Sequence, residues 1–132
     1  MPGNDRGVKM HLTQKETERL LLFQIAEIAR RRWCRNLELN YIEAGAIICD
    51  ELIERARSGS CTVTDLVGLG QKIISGEDVM EGTESLLPVL QLEVLFPDGN
   101  KLITVHSPIF YKKRSDTVKE LISFPPYMEV PK

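Results

Sequence analysis

A chain of 132 residues with a formal net charge of −2 has room for one domain with one real core. Its 17 Lys and Arg and 19 Asp and Glu are interspersed, which argues against the broad basic field of a nucleic-acid or membrane partner, although Arg30-Arg31-Arg32 and Arg35 cluster locally. No apolar run approaches the roughly 18 residues that span a bilayer, and three cysteines, Cys34, Cys49 and Cys61, without a Cys-x-x-Cys pair or a readable secretory leader, set the expectation of a reducing cytoplasmic compartment.

The polar stretch Met1–Lys9, with Pro2, Gly3 and Gly7, is expected to be a disordered arm. Order is expected to begin near His11. Thr13 and Glu16 form a capping box, with Leu12 placed to staple onto the first turn. The helix it opens is expected to run to about Arg35. Leu21, Ile25, Ile28 and Ala29 recur at helical spacing, and Leu22 and Ala26 widen that stripe into a core-facing side. Arginines suit its C-terminal turns, and Asn36 fits a left-handed cap. A second capping box, Asn40 with Glu43, opens a helix over about Tyr41–Arg57. Its inner side is read as Ala44, Ile47, Ile48, Leu52 and Ile53, and its solvent side as Asp50, Glu51, Glu54 and Arg57. Gly45 and Ala46 permit close helix approach.

Thr62–Asp65 starts a third helix, with Leu66, Val67, Leu69, Ile73 and Ile74 apolar, that Ser75-Gly76 breaks; Gly68 and Gly70 weaken it by about 1 kcal/mol each relative to Ala. A short fourth helix is expected over Glu77–Glu81, stopped by Gly82. Leu90–His106 then reads as a β-hairpin. Leu90, Leu92, Val94 and Phe96 alternate with polar residues as the buried face of a strand, while Leu95 breaks the alternation. Pro97-Asp98-Gly99 is turn chemistry, read as a type I turn closing on a glycine bulge. The return strand Lys101–His106 is β-branched. The apolar hairpin face is expected to pack on the first two helices. Residues 110–132, rich in charge and proline, read as a tail or linker with at most one helical turn around Val118–Ile122. The fold class is therefore α+β: about four helices, then a two-stranded antiparallel hairpin, with residues 10–109 as the domain.

The chemistry-bearing residues do not converge. His11 and His106 lie at opposite ends of the ordered region, too few for a metal site. Cys34, beside Arg30, Arg31 and Arg35, could have a lowered pKa, yet no orienting base is placed near it. Gly68-Leu69-Gly70 lacks the strand and the Gly-Lys-Ser/Thr of a phosphate loop. The residues alone describe an α+β domain without catalytic, metal or cofactor residues of its own.

Several stretches resemble the urease gamma subunit family. Met10, Leu12, Thr13 and Glu16 match its opening. Leu39, Asn40, Tyr41, Glu43 and Ala44 match the start of its second helix, and Glu54, Ala56, Arg57 and Gly59 its end. Val79, Met80 and Gly82 follow. The most specific stretch is Phe96, Pro97, Asp98, Gly99, Asn100, Lys101, Leu102, Ile103, Thr104, Val105, His106, Ser107, Pro108 and Ile109. Asn36 stands where the family usually has glycine, and Leu95 where it usually has a small or polar residue. The arm and the tail lie outside a typical bacterial gamma chain; in fused ureases a linker follows this point.

The resemblance implies a non-catalytic structural role. Urease hydrolyses urea to ammonia and carbamate at a di-nickel centre, and the nickel ligands belong to the large alpha subunit. The expected partners are the urease alpha and beta subunits or domains, in a trimer of αβγ units, with no nucleic acid and no membrane. No cofactor is expected in this chain. Structural or interface candidates are Asn40, Tyr41, Glu43, Leu95, Pro97, Asp98, Gly99 and His106. A stand-alone gamma-like paralogue, or a truncated fused urease serving as an interaction module, is the second reading. A small enzyme using Cys34 or His106 is the third and has the least support.

Overall fold

The computed structural model describes residues 10–131; the arm expected over Met1–Lys9 lies outside them. Four helices, α1 (Gln14–Cys34), α2 (Tyr41–Arg57), α3 (Val63–Gly70) and α4 (Thr83–Leu86), precede a two-stranded antiparallel sheet, β1 (Val89–Phe96) and β2 (Gly99–His106). The architecture is α+β, as expected.

Local chemistry sets the helix ends. Thr13 and Glu16 cap each other's backbone at 3.2 and 2.9 Å, Asn40 and Glu43 do so at 2.8 and 2.9 Å, and Thr62 and Asp65 at 3.1 and 2.9 Å. Each box satisfies two amides that a helix start leaves open. At the end of α1, Asn36 adopts φ 61°. Its amide donates to the Trp33 carbonyl at 2.9 Å and the Leu37 amide to that of Arg32 at 3.1 Å, the paired bonds of a Schellman end.

The core lies between α2, α3 and the inner face of the hairpin. β1 packs on α2 and β2 on α3, whereas the sequence places the hairpin on the first two helices. The ion pair between Lys15 and Glu93 ties α1 to β1. Val94, Phe96, Ile103 and Val105 are buried, with Leu90 and Leu92 packed beside them, so the strand parity is the expected one. Gly70 explains how α3 comes so close: a Cβ there would stand 2.8 Å from Val105 Cγ2.

Several boundaries differ from expectation. The register runs without a bulge from Val89↔His106 to Phe96↔Gly99, which leaves the two-residue loop Pro97-Asp98. Proline holds φ negative and excludes the primed turns that match strand twist; Gly99, at φ 127°, takes up the mismatch. α3 stops at Gly70 rather than at Ser75, and Ile73 and Ile74 enter the core from an irregular segment. No helix spans Glu77–Glu81. A 3₁₀ turn covers Gly76–Asp78, and Val79 is held extended in a parallel bridge with Leu39. Asp78 accepts from the Ser75 amide and hydroxyl, both at 2.8 Å, and from Trp33 Nε1 at 3.0 Å, which pins the chain out of a helix. Gly82, at φ 85°, does not end a helix; it starts α4. The tail's one helical turn is a 3₁₀ turn at Arg114–Asp116, not at Val118–Ile122.

The two long helices depart furthest from their expected faces. α1 turns Ala26, Ala29, Arg30 and Trp33 inward, while Leu21, Ile25 and Ile28, read as its core stripe, are 52%, 39% and 50% exposed. α2 buries Ala44, Ile47, Ile48 and Leu52 as expected, but Asp50 and Glu51, read as solvent-facing, are buried as well. Asp50 is buried because Arg30 faces it at 2.7 Å and Arg19 at 2.8 Å. Glu51 is buried because residues 120–123 lie over it.

Candidate functional site

The outward side of α1 carries exposed apolar residues at helical spacing. That helix carries two apolar stripes about 100° apart. One, Leu22, Ala26, Ala29 and Trp33, meets α2 and the core. The other, Leu21, Ile25 and Ile28, has the same spacing and stays about half exposed to solvent among the described residues. A surface helix of a single domain needs only the first. The second stripe continues onto Ile42, in the first turn of α2 and 51% exposed. Ile25, Ile28, Ile42, Arg32, Asn40 and Glu43 line a shallow cleft of about 240 Å³. The Arg32 guanidinium pairs with Glu43 at its rim, and Glu43 is also the reciprocal half of the Asn40 cap. The cleft is thus rigidly built, apolar along its floor and charge-neutralised at its edge.

Contiguous exposed apolar surface of this kind marks a partner. The second such feature is the outer face of the hairpin. Leu95 and Leu102 lie diagonally across the two strands, 52% and 64% exposed.

The sequence-derived candidates divide between these places. Asn40 and Glu43 belong to the α1–α2 cleft, and Tyr41 stands beside it, partly exposed. Leu95 is on the outer hairpin face. Pro97 and Asp98 form the hairpin tip; the tip rests near Gly59, where an added Cβ would lie 3.2 Å from Pro97 Cγ. Asp98 pairs with Lys101 at 3.2 Å. The His106 side chain is exposed, and its carbonyl accepts from Gln71 Nε2 at 2.7 Å. The cleft that holds Asn40 and Glu43 is lined by none of the hairpin candidates. Leu21, Ile25, Ile28 and Ile42 were missed as surface residues. The available signal was the run Leu20-Leu21-Leu22-Phe23, which gives one helix more apolar sides than one core can use.

The surroundings of Cys34 and Cys49 do not favour a thiolate. Burial raises the Cys34 thiol despite the opposing pull of Arg30, the reverse of the effect expected from the arginine cluster. Its Sγ donates to the Glu129 carbonyl at 3.1 Å. Burial, with the Asp50 carboxylate adding to it, pushes Cys49 up to about 11. Both are protonated thiols at neutral pH. Among the described residues no group of three or more His, Cys, Asp or Glu side chains could hold a metal ion, and no helix is long and apolar enough to cross a membrane.

What the geometry offers is therefore a helical scaffold with two exposed apolar faces. The family model described as urease, gamma subunit, matches residues 10–109, which spans α1 through the end of the hairpin, and the chain belongs to the urease gamma subunit family.

Proposed function

We propose that this chain is a structural gamma component of urease, holding the large catalytic subunit in an assembled enzyme that hydrolyses urea to ammonia and carbamate. Nickel is bound by the partner alpha subunit in this reading. The chain contributes surface, and its assembly is with alpha and beta subunits or domains in a trimer of αβγ units. The observation that carries the reading is the second apolar stripe of α1, left open by a fold that the family match covers from α1 to β2. Leu95 and Leu102 on the hairpin supply a second contact of the same character.

Co-expression with urease alpha and beta chains tests it. The expected product is a complex containing this chain in equal numbers with alpha, with nickel and urea hydrolysis in the complex and neither in the isolated chain. Leu95→Lys should weaken the assembly and leave the circular dichroism of the isolated chain unchanged. If the chain purifies alone, and urea hydrolysis by the other subunits is indifferent to it, the reading fails.

A further inference from the structure

Residues beyond the family-matched stretch do not trail away from the domain. They run back across the end of α1, across α2 and along the segment 71–78. Every station of that path is held. The Gly76 amide donates to the Tyr111 carbonyl at 2.9 Å and the Val118 amide to that of Lys72 at 2.8 Å. The Arg114 amide donates to Glu77 Oε1 at 2.7 Å. Two charged side chains act as clamps. Glu51, fully buried on α2, accepts the Ile122 amide on Oε2 and the Ser123 amide on Oε1, both at 2.9 Å, and the Ser123 hydroxyl at 2.6 Å. Arg55 donates to the same carboxylate at 2.7 Å and to the Glu120 carbonyl at 2.9 Å. At the other end the guanidinium of Arg114, 5% exposed, lies 4.6 Å from the centre of the Trp33 ring. It donates to the Ile73 carbonyl and to Thr117 Oγ1, both at 2.8 Å.

We propose that this face of the domain is a docking groove for a polypeptide of irregular conformation, gripped mainly through its backbone, and that residues 111–131 of this chain are its occupant. The domain's side of the grip lies within residues 10–109 and includes Trp33, Glu51, Arg55, Lys72, Ile73, Gly76 and Glu77. Charged groups at such depth are tolerated only when their bonds are satisfied, and for Glu51 three of the four bonds come from the segment. Carboxylate-to-amide bonds are the strong kind. They read backbone rather than sequence, which suits an irregular segment with prolines at Pro125, Pro126 and Pro131. Side chains add register: Leu121 is buried, and Phe124 meets the Trp33 ring edge-on with centroids 5.6 Å apart.

Amide hydrogen exchange of the full chain, read residue by residue, tests the proposal. In the unaltered protein the amides of Val118, Ile122 and Ser123 should exchange far more slowly than in an unstructured peptide. Glu51→Gln should speed Ile122 and Ser123 by about tenfold or more, since one acceptor oxygen is lost, with the Ile48 amide unchanged. If Glu51→Gln loosens α2 as well, Arg114→Lys decides, because that residue sits on the segment itself: faster exchange confined to 111–123 supports the groove. Unprotected amides at 118–123, or no response to either variant, overturn it. Protection that rises with protein concentration, together with a dimer in sedimentation, overturns the assignment of the chain's own segment as occupant.

Discussion

α1 and α2 are packed against each other, and each buries charged side chains that its own pattern would leave in solvent. α1 shows Leu21, Ile25 and Ile28 to solvent and buries Arg30. α2 keeps its apolar side inward but also buries Glu43, Asp50 and Glu51. The difference lies in what covers them. α2 is surrounded within the chain, by α1 on one side, the hairpin on another and the segment 120–123 over its polar edge. α1 is covered by α2 and, at its C-terminal end, by the tail, while Leu21, Ile25 and Ile28 stay about half exposed to solvent among the described residues. Amphipathic patterning reports the sum of a helix's partners, including a non-helical strap. Arg30 shows how the exchange is made good: it reaches Asp50 at 2.7 Å and Glu27 at 3.0 Å, with the Phe23 ring 5.6 Å from its guanidinium carbon.

That comparison can be broken at its joint. Asp50→Ala leaves Arg30 buried with Glu27 as its remaining carboxylate. A broken buried pair typically costs about 3–5 kcal/mol, and we expect the lower end of that range in a denaturant titration. Next comes the contrast between the helices' apolar residues. Leu52→Ala, at a fully buried site, should cost about 2–5 kcal/mol, whereas Leu21→Ala should change stability by no more than about 0.5 kcal/mol. Equal losses at the two sites would mean that the outward stripe of α1 is covered within the chain after all.

Smaller effects sharpen the local account. Gly99→Val should cost about 1–2 kcal/mol from backbone strain at φ 127°. No atom lies within 4 Å of an added Cβ there, so a loss in the thermal midpoint reads conformation rather than collision. Asn40→Ala should cost about 1 kcal/mol. An unchanged unfolding midpoint would mean that the cap does not hold the start of α2.

What was legible in the sequence was whatever is decided within a few residues. Thr13 with Glu16, Asn40 with Glu43 and Thr62 with Asp65 meet three positions apart, and the alternation Leu90, Leu92, Val94, Phe96 sets the hairpin's buried side without reference to anything distant. Asn36 is another case, since its left-handed end needs only a side chain that tolerates it. What stayed hidden depends on long-range closure. Glu51 meets Ile122 and Ser123 some 70 residues away, and nothing in a mixed charged and proline-rich stretch announces that its amides will be claimed. Asp78 looks like a helix-start residue until Trp33 and Ser75 take its oxygens. For the candidate site the same division holds. Leu95 is recognisable because it breaks a two-residue period, whereas Leu21, Ile25 and Ile28 satisfy the helical period so well that they read as core.

The central claim is that the outward stripe of α1 is a subunit interface, and sedimentation of an Ile28→Glu chain co-expressed with urease alpha and beta chains tests it most directly. The account predicts that the variant, folded by circular dichroism, sediments apart from the complex that the unaltered chain joins. Ile28→Glu sedimenting with that complex in the same proportion as the unaltered chain would contradict it.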